Sequence, residues 1–140
     1  MSMTATSQSG PQSGDRPGRI KLLSDEELAG AKADLLKLMD TTKRYLDSEL
    51  NLLKLANELN ISVYQLSYVL NEGFGVNFFN FINRFRVERA KQLLDDPVND
   101  HLNMLAIGCA SGFNSKTAFN TTFKKMTRMT PSAYKRRRKL

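Results

Sequence analysis

The sequence predicts an all-α protein of about seven helices, in which one two-helix unit occurs twice on either side of a long central helix. Three observations carry this expectation. Apolar residues recur every three or four positions along most of the chain, no stretch shows the alternation of a strand, and one template is repeated. Leu52, Leu55, Ala56, Leu59, Asn60 and Ile61 stand over Met104, Ile107, Gly108, Ser111, Gly112 and Phe113 at a constant offset of 52 residues. After the turn the offset becomes 53, so that Leu66 and Leu70 stand over Phe119 and Phe123.

The elements follow in order. Ser24 with Glu27 three residues on is a capping box, and acidic Asp25, Glu26 and Glu27 suit a helix N-terminus. Leu35, Leu38, Met39, Tyr45 and Leu46 then extend this first helix to about Ser48. Asn51 caps the first repeat, predicted over about 51–71, and Asn103 holds the same place in the second, over about 103–126. Within the first repeat, Leu52, Leu55 and Leu59 share a helical face, as do Leu66 and Leu70 on the next helix. Ala56 and Gly108 are small where two short helices must cross. The turn needs a residue at positive φ, which Gly112 adopts freely and Asn60 tolerates best among other residues. Ser62, and Asn114 or Ser115, can cap the second helix of each unit.

The central helix is predicted over about 77–94. Phe78, Phe81, Ile82 and Phe85 form one apolar stripe, and Val87, Ala90, Leu93 and Leu94 carry it around the helix. That much apolar surface needs more than one neighbour, so this helix is expected to pack on both repeats and fix their separation. Asp95, Asp96 and Pro97 end it. A last short helix starts at Thr130 and Pro131, with Tyr134 inward.

Two crossing helices joined by a tight turn are a helix-turn-helix, whose second helix can lie in the major groove of DNA. Two copies in 140 residues are far stronger evidence than one. Charge points the same way. Residues 101–140 carry nine Lys or Arg and no Asp or Glu, whereas residues 1–100 carry 12 basic and 14 acidic side chains. The net charge of +7 therefore comes from the second repeat and its tail, which suggests a polyanionic partner. A solvated basic tail is the alternative for Lys135 to Lys139. It does not account for Lys116, Lys124 and Lys125 on the helix that the repeat itself nominates.

Composition bounds the rest. A chain of 15.8 kDa with 41% hydrophobic residues can bury a modest core. No run of about 18 apolar residues is present, so no membrane span is expected. Met1 to Gly18 has no apolar segment of the secretory type, and residues 1–23 are expected to be a disordered leader or a linker. The single cysteine permits no disulfide within the chain, consistent with a reducing cytosol, and a DNA partner would make the location nucleoid-associated.

Leu52 to Tyr134 resembles the DNA-binding domain of the AraC/XylS family of bacterial transcription regulators. The resemblance rests on the first repeat, the central helix Phe78 to Leu94, the turn Gly112, Phe113 and Asn114, the run Phe123, Lys124 and Lys125, and the stretch Met129 to Tyr134. It covers about 85 residues in order, and Lys21 to Leu46 resembles the preceding helix of some members. The domain is expected to span 24–140. The resemblance implies a bipartite monomer whose two recognition helices enter adjacent major-groove segments on one face of duplex DNA. It also implies contact with RNA polymerase, most often in activation. No β-rich sensor domain fits into residues 1–33. The chain therefore acts alone, answers to a partner, or is the output half of a longer and possibly membrane-bound regulator.

With Leu66, Val69 and Leu70 assigned to the core, the family pattern points to Tyr64, Ser67 and Tyr68 as groove-facing on the first recognition helix. On the second, Phe119 and Phe123 are core, and Lys116, Thr117, Asn120 and Thr121 face out. Asn pairs bidentately with adenine, Lys donates to guanine and Thr offers a methyl to thymine. Any one of them could instead be an ordinary solvated residue. Ser115, Lys124, Lys125, Arg84, Arg136, Arg137 and Arg138 are the phosphate candidates. Arg86 and Arg89 are phosphate candidates too, or else pair with Glu88, Glu58 or Asp95 and hold helices together, the structural role being the one expected for Arg86. Tyr68 and Thr121 stand where many relatives carry Arg, and Arg128 where the family commonly has Gly, so that its positive φ would cost about 1 kcal/mol.

Other signals are set aside. Cys109 has no second Cys or nearby His and is expected to be a buried or half-buried packing residue, not a metal or redox site. His101 is alone in a loop. Gly73 to Gly75 lacks the spacing of a phosphate-binding loop. No catalytic constellation, metal site or cofactor motif is present, so no enzyme is expected. The competing reading is a protein-interaction module that docks a partner through Phe74, Phe78 and Phe79.

Overall fold

The computed structural model describes residues 20–138. The greater part of the predicted leader, and Lys139, lie outside the described residues. Seven α-helices run in the order α1 (Asp25–Thr42), α2 (Leu52–Leu59), α3 (Val63–Tyr68), α4 (Phe78–Asp95), α5 (Met104–Ala110), α6 (Lys116–Thr127) and α7 (Pro131–Arg137). No strand occurs among the described residues.

Every start signal read from the sequence is used. Ser24 and Glu27 exchange both bonds of a capping box, Ser24 Oγ accepting from the Glu27 amide at 3.0 Å. Asn51, Asn77 and Asn103 each accept from the amide three residues on, at 2.8 to 2.9 Å. Thr130 caps α7, with Pro131 in its first turn. The turns are also as expected. Asn60 sits at φ 57°, Gly112 at φ 100° and Arg128 at φ 72°.

Two stretches depart from the expectation. The first helix ends at Thr42, six residues before Ser48. Lys43 adopts a left-handed conformation (φ 52°, ψ 43°) and Arg44–Leu46 form a separate 3₁₀ turn. The reason is tertiary, since the break lets Tyr45 turn onto α4 and stack on Phe85 with ring centroids 5.4 Å apart. No residue there has a strong intrinsic preference for stopping a helix. The second departure lies after α3, which does not end near residue 71. It runs on as a π-helical turn, Val69–Phe74, closed by Gly75 at φ 70°.

The apolar residues form two cores. The first gathers Leu35 and Met39 of α1, Leu55 and Ala56 of α2, Leu66 of α3, Val69 and Leu70 of the π turn, and Phe78, Phe81 and Ile82 from the first half of α4. The second gathers Val87, Ala90 and Leu94 from the other half of α4 with Ile107, Phe113, Phe119 and Phe123. Helix α4 thus divides its apolar surface between the two repeats, as the sequence predicted. Leu23 is also buried in the first core, one residue before the expected start of the folded part.

Small residues stand where helices touch. A Cβ on Gly108 would lie 2.8 Å from a ring carbon of Phe119, so α5 and α6 could not cross as closely with any larger residue. Gly112 has a double requirement. Its φ favours glycine, and a Cβ there would collide with the carbonyl oxygen of Tyr45 and lie 2.9 Å from Arg86 Nε.

Candidate nucleic-acid interface

Helices α3 and α6 hold equivalent places in the two repeats, and their exposed faces are not alike. In α3, Ser62 and Gln65 form a capping box whose two bonds are both 3.0 Å, which ties down the Gln65 side chain. Tyr64 then projects from the first turn with 75% of its surface exposed. Ser67 is half-buried one turn later.

In α6 the hydroxyl of Ser115 accepts from the Ala118 amide at 3.0 Å and starts the helix. Phe119 and Phe123 anchor the inner side completely. This orientation leaves Lys116, Thr117, Thr121, Lys124 and Lys125 exposed and Asn120 half-buried. Lys116, Asn120, Thr121 and Lys124 come together along one open cleft of about 390 Å³, closed on its other sides by Met104, Thr130 and Ser132. Those three residues were absent from the sequence-based candidates. They belong to the starts of α5 and α7, and no linear spacing links them to α6.

No carboxylate lies anywhere in residues 101–140 to neutralise this face. None of the residues lining the cleft is acidic, so it combines cations, amide and hydroxyl groups, a surface suited to phosphates and base edges.

A family model described as a helix-turn-helix domain matches residues 55–137, more than half of the chain. The chain belongs to the AraC-type helix-turn-helix family. An uncharacterized HTH-type transcriptional regulator of Staphylococcus aureus is 31% identical over 102 residues, which is 71% of this chain and 13% of that protein. The chain thus spans a small fraction of the length of the curated relatives it matches. Among solved structures, the C-terminal domain of the two-component response regulator yesN from Fusobacterium nucleatum is 30% identical, with a TM-score of 0.65 over 76% of this chain and 98% of that one. A transcriptional regulator with an AraC-type DNA-binding domain from Chromobacterium violaceum, 23% identical over 79% of this chain and 93% of that one, shares the fold with a TM-score of 0.67.

Within this AraC-type domain several candidates lie where the sequence did not put them. Tyr68 is not groove-facing. It is buried at 8% exposure in the first core, although its counterpart Thr121 is exposed. The two recognition helices also continue differently, since α1 packs on the π turn that follows α3, where a Cβ on Gly73 would lie 2.9 Å from Lys32 Cγ and Cδ.

Three of the arginines also have other surroundings. Arg137 pairs with Asp95 at 2.9 Å and lies over the Tyr134 ring at 3.8 Å. Arg138 is ion-paired with Asp100. Both are thereby turned toward the end of α4 and the loop after it; Arg136 and Arg137 are exposed and Arg138 is half-buried. Arg84 is exposed but lines a different groove, with Leu36, Phe74, Phe81, Phe85 and Glu88.

Arg86 is structural, as expected, but its partners are carbonyl oxygens rather than carboxylates. Its Nε donates to Tyr45 O at 2.7 Å and a terminal nitrogen donates to Asp47 O at 2.9 Å. Burial pushes its guanidinium below the ordinary arginine range, and the nearby Asp47 charge opposes that shift. The expected carboxylates have other partners: Glu58 pairs with Arg44 at 2.6 Å and Glu88 with Lys91 at 3.0 Å. Arg89 donates to Gln92 Oε1 at 3.3 Å.

Cys109 is exposed, not a packing residue, because the inner side of α5 is taken by Ile107 and Gly108. Of the aromatic patch in the competing reading, Phe78 is buried, Phe74 is half-buried under Lys32, and Phe79 alone is well exposed at 70%.

The AraC-type family is one of DNA-binding transcription-regulator domains, not of enzymes. No helix among the described residues is long and apolar enough to cross a membrane.

Proposed function

We propose that this domain reads duplex DNA by placing α3 and α6 in adjacent major-groove segments, and that it serves as the output of a bacterial transcription regulator, an activator. The single observation that carries the reading is the exposed, acid-free face of α6, held in the same template as α3 by the shared helix α4. In this reading Lys116, Thr117, Asn120 and Thr121 contact base edges in one groove, and Tyr64 and Ser67 in the next. Ser115, Lys124, Lys125 and Arg136 hold phosphates, and Arg84 meets the backbone between the two grooves. Tyr68, Arg137 and Arg138 have no direct part.

Successive grooves on one DNA face lie about 34 Å apart, so a site of roughly 20 bp is expected. Activation would come through contact with RNA polymerase, as the family resemblance implies. The small share of the Staphylococcus relative that this chain spans, and the response-regulator origin of the Fusobacterium domain, support an output module of a longer or partnered regulator.

Selection from a random duplex pool, followed by footprinting, tests the reading. Protection of one asymmetric site of about 20 bp is the expected result, and absence of affinity even near 50 mM salt would sink it. Transcription in vitro from a template carrying the selected site tests the sign, since activation requires more transcript when the protein is added.

A further inference from the structure

The two cores are joined by α4, and also by a second connection that lies outside both repeats. The 3₁₀ turn Arg44–Leu46 sits between α4 and the turn of the second helix-turn-helix. Arg86 donates to the carbonyl oxygens of Tyr45 and Asp47, at 2.7 and 2.9 Å. Gly112 approaches the same Tyr45 oxygen so closely that no side chain could stand there, and its neighbour on the other side would be the Cα of Leu46, 3.1 Å from any Cβ. Three elements thus close on one carbonyl group.

The helix that leads into this clasp touches the other repeat. Lys32 and Leu28 of α1 pack against Gly73 in the π turn that prolongs the first recognition helix, and Lys32 Nζ lies 5.2 Å from the Phe74 ring centroid. One continuous segment, residues 28–47, therefore leans on the end of the first recognition helix and locks onto the turn before the second.

We infer that α1 and its 3₁₀ turn form a strut that sets the separation and mutual orientation of the two recognition helices, with Arg86 as its positioning residue. This rests on the two-groove reading for its consequence, which is the half-site spacing that the protein accepts. A bipartite reader gains affinity from its second half only when the geometry lets both halves bind together. A long helix shared by two small cores bends easily, whereas a helix braced by a strut on one side does not. An Arg fork on two carbonyls is directional, and a Lys cannot reproduce it.

The inference is tested first without DNA. Spin labels on the native Cys109 of α5 and on Asn57→Cys of α2, both exposed positions, report the distance between the repeats. The parent should give one narrow distance distribution. Arg86→Lys, and the milder surface change Asp47→Lys, should broaden or shift it while helix content by circular dichroism is retained. Asp47 is exposed, so its variant keeps the test open even where Arg86→Lys does not fold.

On a site selected by the parent, both variants should lose about tenfold or more in affinity while binding to a probe with one half scrambled changes by less than about twofold. They should also accept sites with one base pair inserted between the halves, which the parent rejects. Parent-like distances in both variants, or equal losses on full and half sites, would overturn the strut. Altered distances in a protein that selects no DNA would instead leave the strut standing and remove the two-groove reading.

Discussion

Glycine 112 shows how one residue can serve backbone and packing together. It needs positive φ, and it faces a carbonyl oxygen with no space for a methyl group. Gly112→Ala should therefore cost roughly 2 to 4 kcal/mol in urea unfolding, the sum of backbone strain and a forced shift of Tyr45. Gly108→Ala meets the Phe119 side chain rather than backbone, has no positive φ to strain, and should cost less, about 1 to 3 kcal/mol. The opposite sign belongs to Arg128, a non-glycine residue held at φ 72°, where Arg128→Gly should stabilise by about 1 kcal/mol. The two tyrosines of the first recognition helix separate in the same way. Tyr68→Ala should cost roughly 3 to 5 kcal/mol of stability through a cavity. Tyr64→Ala should leave the unfolding midpoint nearly unchanged and act on DNA affinity instead. Equal stability losses for the pair would contradict their burial.

At the scale of elements, α3 and α6 have the same role in the template but different surroundings. α6 is twelve residues long, starts on a single serine cap and has its outer face uncovered. α3 is six residues long, passes into a π turn on which α1 packs, and has Tyr68 buried in the first core. Two side chains of α6 in one cleft should then behave differently. Asn120→Ala should relax base preference at one position of the selected site, a change of about 1 to 3 kcal/mol in discrimination. Lys124→Ala should weaken all sequences alike and lower the salt slope by about one. Competition binding with specific and random duplexes distinguishes the two, and a uniform loss for Asn120→Ala would remove its reading role. Helix α7, by contrast, is directed inward. Tyr134 donates to Asp95 at 3.1 Å and packs on Phe123, so this helix closes the second core with the tyrosine that the sequence expected to face inward.

At the scale of the whole molecule, the two repeats are unequal in charge. Lys116, Lys124 and Lys125 lie exposed on α6, while α3 carries no charged residue at all. Neutralising the three lysines of α6 should reduce the slope of log affinity against log salt by roughly two to three, since each phosphate contact contributes about 0.9. Replacing Tyr64 and Ser67 should leave that slope unchanged while lowering specific affinity. A titration of both variants over salt concentration checks this, and equal slopes would show that the grip is shared.

What the sequence determined by itself is the set of local choices. Caps at Ser24, Asn51, Asn103 and Thr130, positive φ at Asn60 and Gly112, and the division of α4 between two cores all follow from spacing and side-chain chemistry within a few residues. The repeat made them legible, because two copies of one template reveal which positions are mechanical. Only the tertiary structure decided the rest. Where α1 stops, how α3 continues, why Tyr68 is buried while Thr121 is not, and where Arg86, Arg137 and Arg138 point all depend on partners tens of residues away. The physical reason is one of range. Helix starts and turns are set by hydrogen bonds within one or two turns, whereas an arginine fork on a distant carbonyl or a helix laid over another's end leaves no periodic trace in the chain.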